Sequence, residues 1–167
     1  LMKGRFEYQD FNYADSLYGT LNSSRIRITD LNADLSRFQI IGDSILFKSN
    51  SLSAVESSEL TISKLNSNVT IAPSGISLMD ASFFLNHSDL SGNILLKTDS
   101  FGSYSSYLSD VKHDITFHNS TLNLADLNRF SANSKFSDLE LKMEGTFKGK
   151  INKLKGKRIS LQLANNT

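Results

Sequence analysis

Between Gly75 and Lys97 the chain reads GISLMDASFFLNHSDLSGNILLK, and its apolar residues fall on every second position. They form three runs: Ile76 and Leu78; Ala81, Phe83 and Leu85; Leu90, Gly92, Ile94 and Leu96. Ser, Asp, Asn, His and Lys fill most of the positions between. A period of two belongs to the β-strand, whose successive side chains point to opposite faces. Similar alternation recurs at Arg5–Tyr13 (where it shifts register near Gln9), Arg25–Ile28, Leu31–Leu35, Phe38–Phe47, Leu60–Ile62 and Leu65–Ile71. It returns at Asp114–Phe117, Ser120–Leu124, Asp138–Phe147 and Ile159–Leu163. By this criterion the chain holds about a dozen strand segments, each with one apolar face.

The segments follow one another too closely for crossover helices, so neighbours must pair in meanders or in solenoid-like coils. Two short stretches have helical spacing: Tyr104–Val111, with Tyr104, Tyr107, Leu108 and Val111 on one side, and Ala125–Phe130, with Leu127 and Phe130 inward. Gly75 and Gly92 mark places where the sheet can turn or curl. The expected class is therefore all-β, with one or two short helical turns near 104–111 and 125–130.

With 167 residues, 39% of them hydrophobic, 21% charged and a net charge of +1, the composition is that of an ordinary folded domain. It suggests neither disorder nor bulk nucleic-acid binding. No run reaches the ~20 apolar residues of a membrane helix. The absence of cysteine excludes disulfides and thiol chemistry without fixing a compartment. The chain opens in mid-pattern at Leu1-Met2-Lys3, which reads as one segment, residues 1–167, of a longer repetitive protein.

Chemistry-bearing constellations are scarce. The histidines are His87, His113 and His118. His113 and His118 stand five apart, on opposite faces of a strand, and cannot share a metal, so surface strand histidines are expected. Asp10, Asp15, Asp30, Asp34, Asp80, Asp89 and Asp110 fall at turns or strand edges, where aspartate bonds locally. No serine sits in a Gly-x-Ser-x-Gly elbow, and there is no phosphate loop or dinucleotide fingerprint. No enzyme, cofactor or metal is expected.

The stretch Lys148–Arg158 holds Lys148, Lys150, Lys153, Lys155, Lys157 and Arg158 and no acid. It reads either as attraction to anionic lipid headgroups or an acidic partner, or as lysine guarding an exposed strand edge. Apart from Phe147 the aromatics that stack bases are missing, so nucleic acid is not an expected partner.

The order of the motifs is similar to that of a known family. Ser58–Lys97 resembles the repeating unit of TamB-like proteins of the AsmA-like superfamily, above all the long forms from Bacteroidetes: Leu60-x-Ile62-x-x-Leu65, Gly75-Ile76-x-Leu78, an aromatic strand at Phe83, then Ser88-x-Leu90-x-Gly92. Phe101–Phe130 is similar to the piece that follows there, through Val111–Ile115, Phe117, Ser120–Leu122, Asp126-Leu127 and Phe130. Glu144–Ile151 with Leu154 resembles the next strand pair, whereas residues 1–57 share the rhythm alone. The motifs are degenerate strand patterns, so the resemblance rests on their order.

The resemblance implies an elongated, curled sheet, a half-open β-taco with a hydrophobic groove. It implies a periplasmic location in a Gram-negative envelope, a parent chain anchored in the inner membrane, and an Omp85-family outer-membrane barrel of the TamA or TamL kind as partner. The implied roles are phospholipid transport between inner and outer membrane, assembly of outer-membrane proteins, or both. The family offers no catalytic residues to carry over. Candidate groove residues are Ile26, Ile28, Ile62, Val69, Ile71, Ile76, Leu78, Phe83, Leu85, Leu90, Ile94, Leu96, Ile115, Phe117, Leu122, Leu124, Leu139, Leu141 and Phe147. Such walls give acyl chains weak, non-directional contacts. The alternative is a closed β-sandwich or solenoid that binds a protein by strand addition. A polysaccharide-active solenoid enzyme would need clustered carboxylates, for which the sequence gives no support.

Overall fold

A computed structural model describes residues 4–9, 11, 25–130 and 135–163. Asp10, Asn12, Tyr13 and Asp15, and the side chains of Leu108 and Phe130, lie outside the described residues. The architecture is all-β: one nine-stranded sheet with the strands in chain order. The strands are β1 (Gly4–Gln9), β2 (Arg25–Ile41), β3 (Ser44–Glu56), β4 (Thr61–Ala72), β5 (Gly75–Leu85), β6 (Ser88–Lys97), β7 (Lys112–Asn123), β8 (Glu140–Lys150) and β9 (Lys155–Leu163). Every neighbouring pair is antiparallel, and β1 and β9 form two separate edges, so the sheet is open. At ~4.8 Å per strand it spans about 40 Å, less than the ~60 Å of a dozen strands.

The strands are fewer and longer than the alternation suggests because several breaks in alternation are β-bulges inside a strand. In β2 the apolar positions run Ile26, Ile28, then Leu31, Ala33, Leu35, then Phe38, Ile40. Register shifts between Thr29 and Asn32 and between Ser36 and Gln39 absorb the two skips. Asp30 and Arg37, just before each resumption, have φ of 51° and 53°. An extra residue in one strand flips the side-chain parity, so the apolar set stays on one face. The same device joins Leu78 to Ala81 through Asp80, Phe117 to Ser120 through Asn119, and Gly156 to Ile159 through Arg158. Conversely, Phe38–Phe47 is not one strand, since a turn at Gly42-Asp43 makes it the β2–β3 hairpin.

The bulges of β5, β7 and β9 fall at nearly one level of the sheet. The β5 bulge lies opposite Ser67 on one side and Asn93 on the other. The β7 and β9 bulges lie opposite neighbouring residues of β8, Glu144 and Gly145. A bulge bends its strand, and bulges in line bend successive strands in the same place. The burial pattern bears this out. Along the line stand small residues, among them Ser49, Ser67, Ala81, Gly92, Ser120 and Gly145, all buried although the sheet is a single layer. A bend that brings the larger side chains on either side of the line together covers such residues. The sheet is thus creased across its strands, with its apolar face inward.

Hydrogen bonds at the crease take up the backbone groups that the bulges release from the ladder. Asn93 Oδ1 accepts from the Asp80 N–H at 2.8 Å, Ser120 Oγ accepts from the Ser91 N–H at 2.9 Å, and Ser67 Oγ donates to the Met79 carbonyl at 3.0 Å. Buried backbone groups left without such partners would cost ~1–3 kcal/mol each.

Short helical segments close the two ends of the inner face. A 3-10 helix at Phe101–Ser106 leads into α1 (Tyr107–Asp110), and a second 3-10 helix covers Leu124–Phe130, near the two expected places. A third, Ile151–Lys153, joins β8 to β9.

Candidate functional site

The register collects the predicted apolar residues into rows. Partners across an antiparallel ladder share a face. On one side of the crease Val69, Leu78, Ile94, Ile115 and Phe147 follow one another across β4 to β8, with Phe47 of β3 at the head. Beside them runs Ile45, Ile71, Ile76 and Leu96. On the other side stand Leu65, Phe83 and Leu90, the pair Ile62 and Leu85, and Leu122, Leu141 and Leu163. Phe117 faces Gly92 and Gly145 at the crease, its ring edge-on to Phe147 at 6.1 Å. Ile26 and Ile28 extend the face toward β1, opposite Tyr8 and Phe6. Leu124 lies instead in the second 3-10 helix, and Leu139 precedes β8 and is exposed.

The result is a trough, not a closed core. Among the described residues the buried hydrophobics are Ala54, Val69, Ala81, Leu90, Val111 and Met143. Most of the larger Ile, Leu and Phe side chains of the rows are half-buried. In a two-layer sandwich the same residues would be covered by a facing sheet, and no second sheet exists among the described residues. Ile45, Phe47, Leu65 and Met143 line the same face and were not among the sequence candidates; their alternation with neighbouring polar residues carried the signal.

Polar groups on this face sit at its borders. His113 is not a surface histidine: it is buried, continues the Ile76–Leu96 row, and meets the Tyr107 hydroxyl through Nε2 at 2.7 Å and the Gly149 carbonyl through Nδ1 at 3.3 Å. A neutral ring with the proton on Nδ1 satisfies both contacts. Burial pushes the His113 pKa down, partly opposed by the Gly149 bond. It pushes the Tyr107 hydroxyl up. Tyr107 thereby pins α1 over this end of the trough.

At the opposite border Asp126 is buried and accepts from Ser88 Oγ at 2.6 Å and from the His87 N–H at 3.1 Å, with His87 Nδ1 also at 3.1 Å. Ser88 Oγ in turn accepts from the Asn123 N–H at 3.0 Å. In a nucleophile–base relay the imidazole stands between hydroxyl and carboxylate; here the carboxylate stands between the other two. The group ties the β5–β6 turn to the Leu124–Phe130 helix. Its lone aspartate in an ADLNRF stretch carried no signal of burial. Glu56, the second buried acid among the described residues, accepts from Ser57 Oγ, Ser58 N–H and Arg27 N–H. Burial alone would raise its pKa, but these hydrogen bonds outweigh that and hold the carboxyl below the usual range.

No family model, curated protein or solved structure matches this chain. No helix among the described residues is long and apolar enough to cross a membrane. None of the described His, Asp and Glu residues group in threes to hold a metal.

The outer face is polar. Of the basic stretch, Lys148 and Lys150 point outward from β8, with Lys155 and Lys157 beside them on β9. Lys153 is exposed in the last 3-10 helix, and Arg158 occupies the β9 bulge. Asp114 bridges Lys148 at 2.9 Å and Lys97 at 3.1 Å. The bond from Lys148, aided by Lys97, holds the Asp114 carboxyl below its usual range.

Proposed function

We propose that this chain is a non-catalytic lipid conduit segment, whose creased apolar face holds phospholipid acyl chains and passes them between inner and outer membrane. The carrying observation is the continuous, half-open apolar row from Phe47 to Phe147 across six strands. Six strands at ~4.8 Å give an apolar path of about 24 Å, longer than the ~15 Å of one leaflet's hydrocarbon. Each CH₂ taken from water gains ~0.8 kcal/mol, while the polar groups that would interrupt the path are confined to its borders and crease. The motif order supports the further reading: a periplasmic segment of a TamB-like envelope protein, anchored elsewhere in the inner membrane, acting with an Omp85-family barrel in lipid transport or outer-membrane protein assembly. A fluorescent phospholipid titrated into the protein tests the reading. Saturable binding that is lost in Ile94→Asp supports it; no binding, or binding untouched by that substitution, rejects it.

A second reading has its own observation. Strand β9 is exposed throughout, and its inner-face residues Ile159, Leu161 and Leu163 are 43%, 55% and 59% exposed. An unpaired edge of this kind can take up a partner strand.

A further inference from the structure

Pairing brings together lysines that are far apart in the chain. Lys97 of β6, Lys112 of β7 and Lys150 of β8 stand directly opposite one another in one row of the outer face. The next row runs Leu95, Asp114, Lys148, Lys155, and the one after it Asn93, Thr116, Thr146, Lys157. These rows therefore gather six lysines around one carboxylate, Asp114. Lys112 and Lys150 have no acidic partner among the described residues. Directly opposed like charges destabilise a sheet. A tandem row of three does nothing for folding, and all three members lie in interior strands, where guarding an edge is not needed.

We propose that this lysine field is a docking surface for an anionic phospholipid bilayer, with the outer face of β6 to β9 against the headgroups. Specific protein interfaces are poor in lysine and centre on Tyr, Trp and Arg anchors. These rows hold no aromatic residue and no arginine; Leu95 is their one large apolar member. Flexible point charges on an outward face suit a fluid layer of phosphates, which requires no fixed geometry. The lack of stacking aromatics argues against nucleic acid. The surface is opposite the trough and does not depend on what the trough holds.

The test is co-sedimentation of the 167-residue chain with phosphatidylcholine vesicles, with and without about one third phosphatidylglycerol. The chain is expected to bind the anionic vesicles, in a salt-sensitive way, and not the neutral ones. At roughly fivefold per lysine, K97Q/K112Q/K150Q should weaken binding by about 100-fold. K48Q/K64Q/K135Q makes the same charge change outside β6 to β9 and should retain most of the affinity. Urea midpoints check folding, and removing opposed charges should leave the first variant at least as stable as the parent. Equal loss in both variants would reduce the effect to net charge and overturn the proposal. So would undiminished binding by K97Q/K112Q/K150Q, or binding of polyglutamate with none of anionic vesicles, which would assign the surface to an acidic protein.

Discussion

Gly92 tests the crease most sharply by stability. Its φ of +154° lies where L side chains rarely go, and a Cβ there would strike the Thr116 carbonyl oxygen of β7, with Phe117 Cα at 3.0 Å. The obstruction is backbone on a paired strand, so no side-chain rotation relieves it. The strain of forcing a non-glycine residue into this conformation is ~1–3 kcal/mol. Pushing β7 away also weakens the Gly92–Phe117 and Asn93–Thr116 pairing, at about 1 kcal/mol per hydrogen bond. Gly92→Ala should therefore cost about 3–4 kcal/mol, a large fraction of the ~5–15 kcal/mol that holds a typical domain. At ~2–4 °C per kcal/mol the melting temperature should fall by about 10 °C. Gly102→Ala is the control, because its Cβ would meet nothing closer than Ser100 Oγ at 3.5 Å. Urea unfolding followed by circular dichroism measures both. If Gly92→Ala unfolds within ~0.5 kcal/mol of the parent, or if Gly102→Ala loses as much, the close approach at the crease is wrong.

Further outcomes follow from the same geometry. Deleting Asp80 should move Ala81, Phe83 and Leu85 to the outer face; a dye that reports exposed apolar surface should then bind more strongly, and unchanged dye binding would contradict the parity argument. Asp126→Ala strands the His87 N–H and the Ser88 hydroxyl and should cost about 2–4 kcal/mol in urea unfolding. The His113 pKa is lowered in the fold, so the unfolded chain takes up its proton first and stability falls as pH drops below about 6.5. His113→Gln should flatten the urea midpoint between pH 7.5 and pH 5, above the range in which Glu56 and Asp114, whose pKa values are also lowered, lose their contributions. Asp114→Asn should change stability by no more than about 1 kcal/mol, since its two ion pairs are partly exposed. If the lysine field docks on anionic vesicles, the same substitution should tighten that binding.

Much of this molecule can be read from alternation because a single open sheet has one rule, side chains left and right in turn. The apolar runs in Gly75–Lys97 identify the inner face of β5 and β6 correctly, including the skip between Leu78 and Ala81. What the skip means is less legible. A two-residue gap can end a strand or bulge it, and the choice depends on whether the neighbouring strand keeps pairing across the gap. That is a non-local fact, so β2 reads as several strands and the β2–β3 turn is hidden inside Phe38–Phe47. The burial of His113 is not legible for a related reason: Tyr107, which meets its ring, comes from a connecting segment whose docking no strand pattern records. The lysine field is not legible in the sequence because four strands contribute to it, and Lys97 and Lys112 are far in the chain from the basic stretch Lys148–Arg158.

The inner and outer faces differ by one residue along β6, and that offers the most direct test of the trough. A photoreactive phenylalanine placed at Ile94 points inward, and one placed at Leu95 points outward. Incubated with neutral phosphatidylcholine, which the lysine field is not expected to bind, bearing a labelled acyl chain and then irradiated, the Ile94 variant should crosslink to lipid and the Leu95 variant should not. Equal labelling at both positions, or labelling at Leu95 alone, would contradict the account.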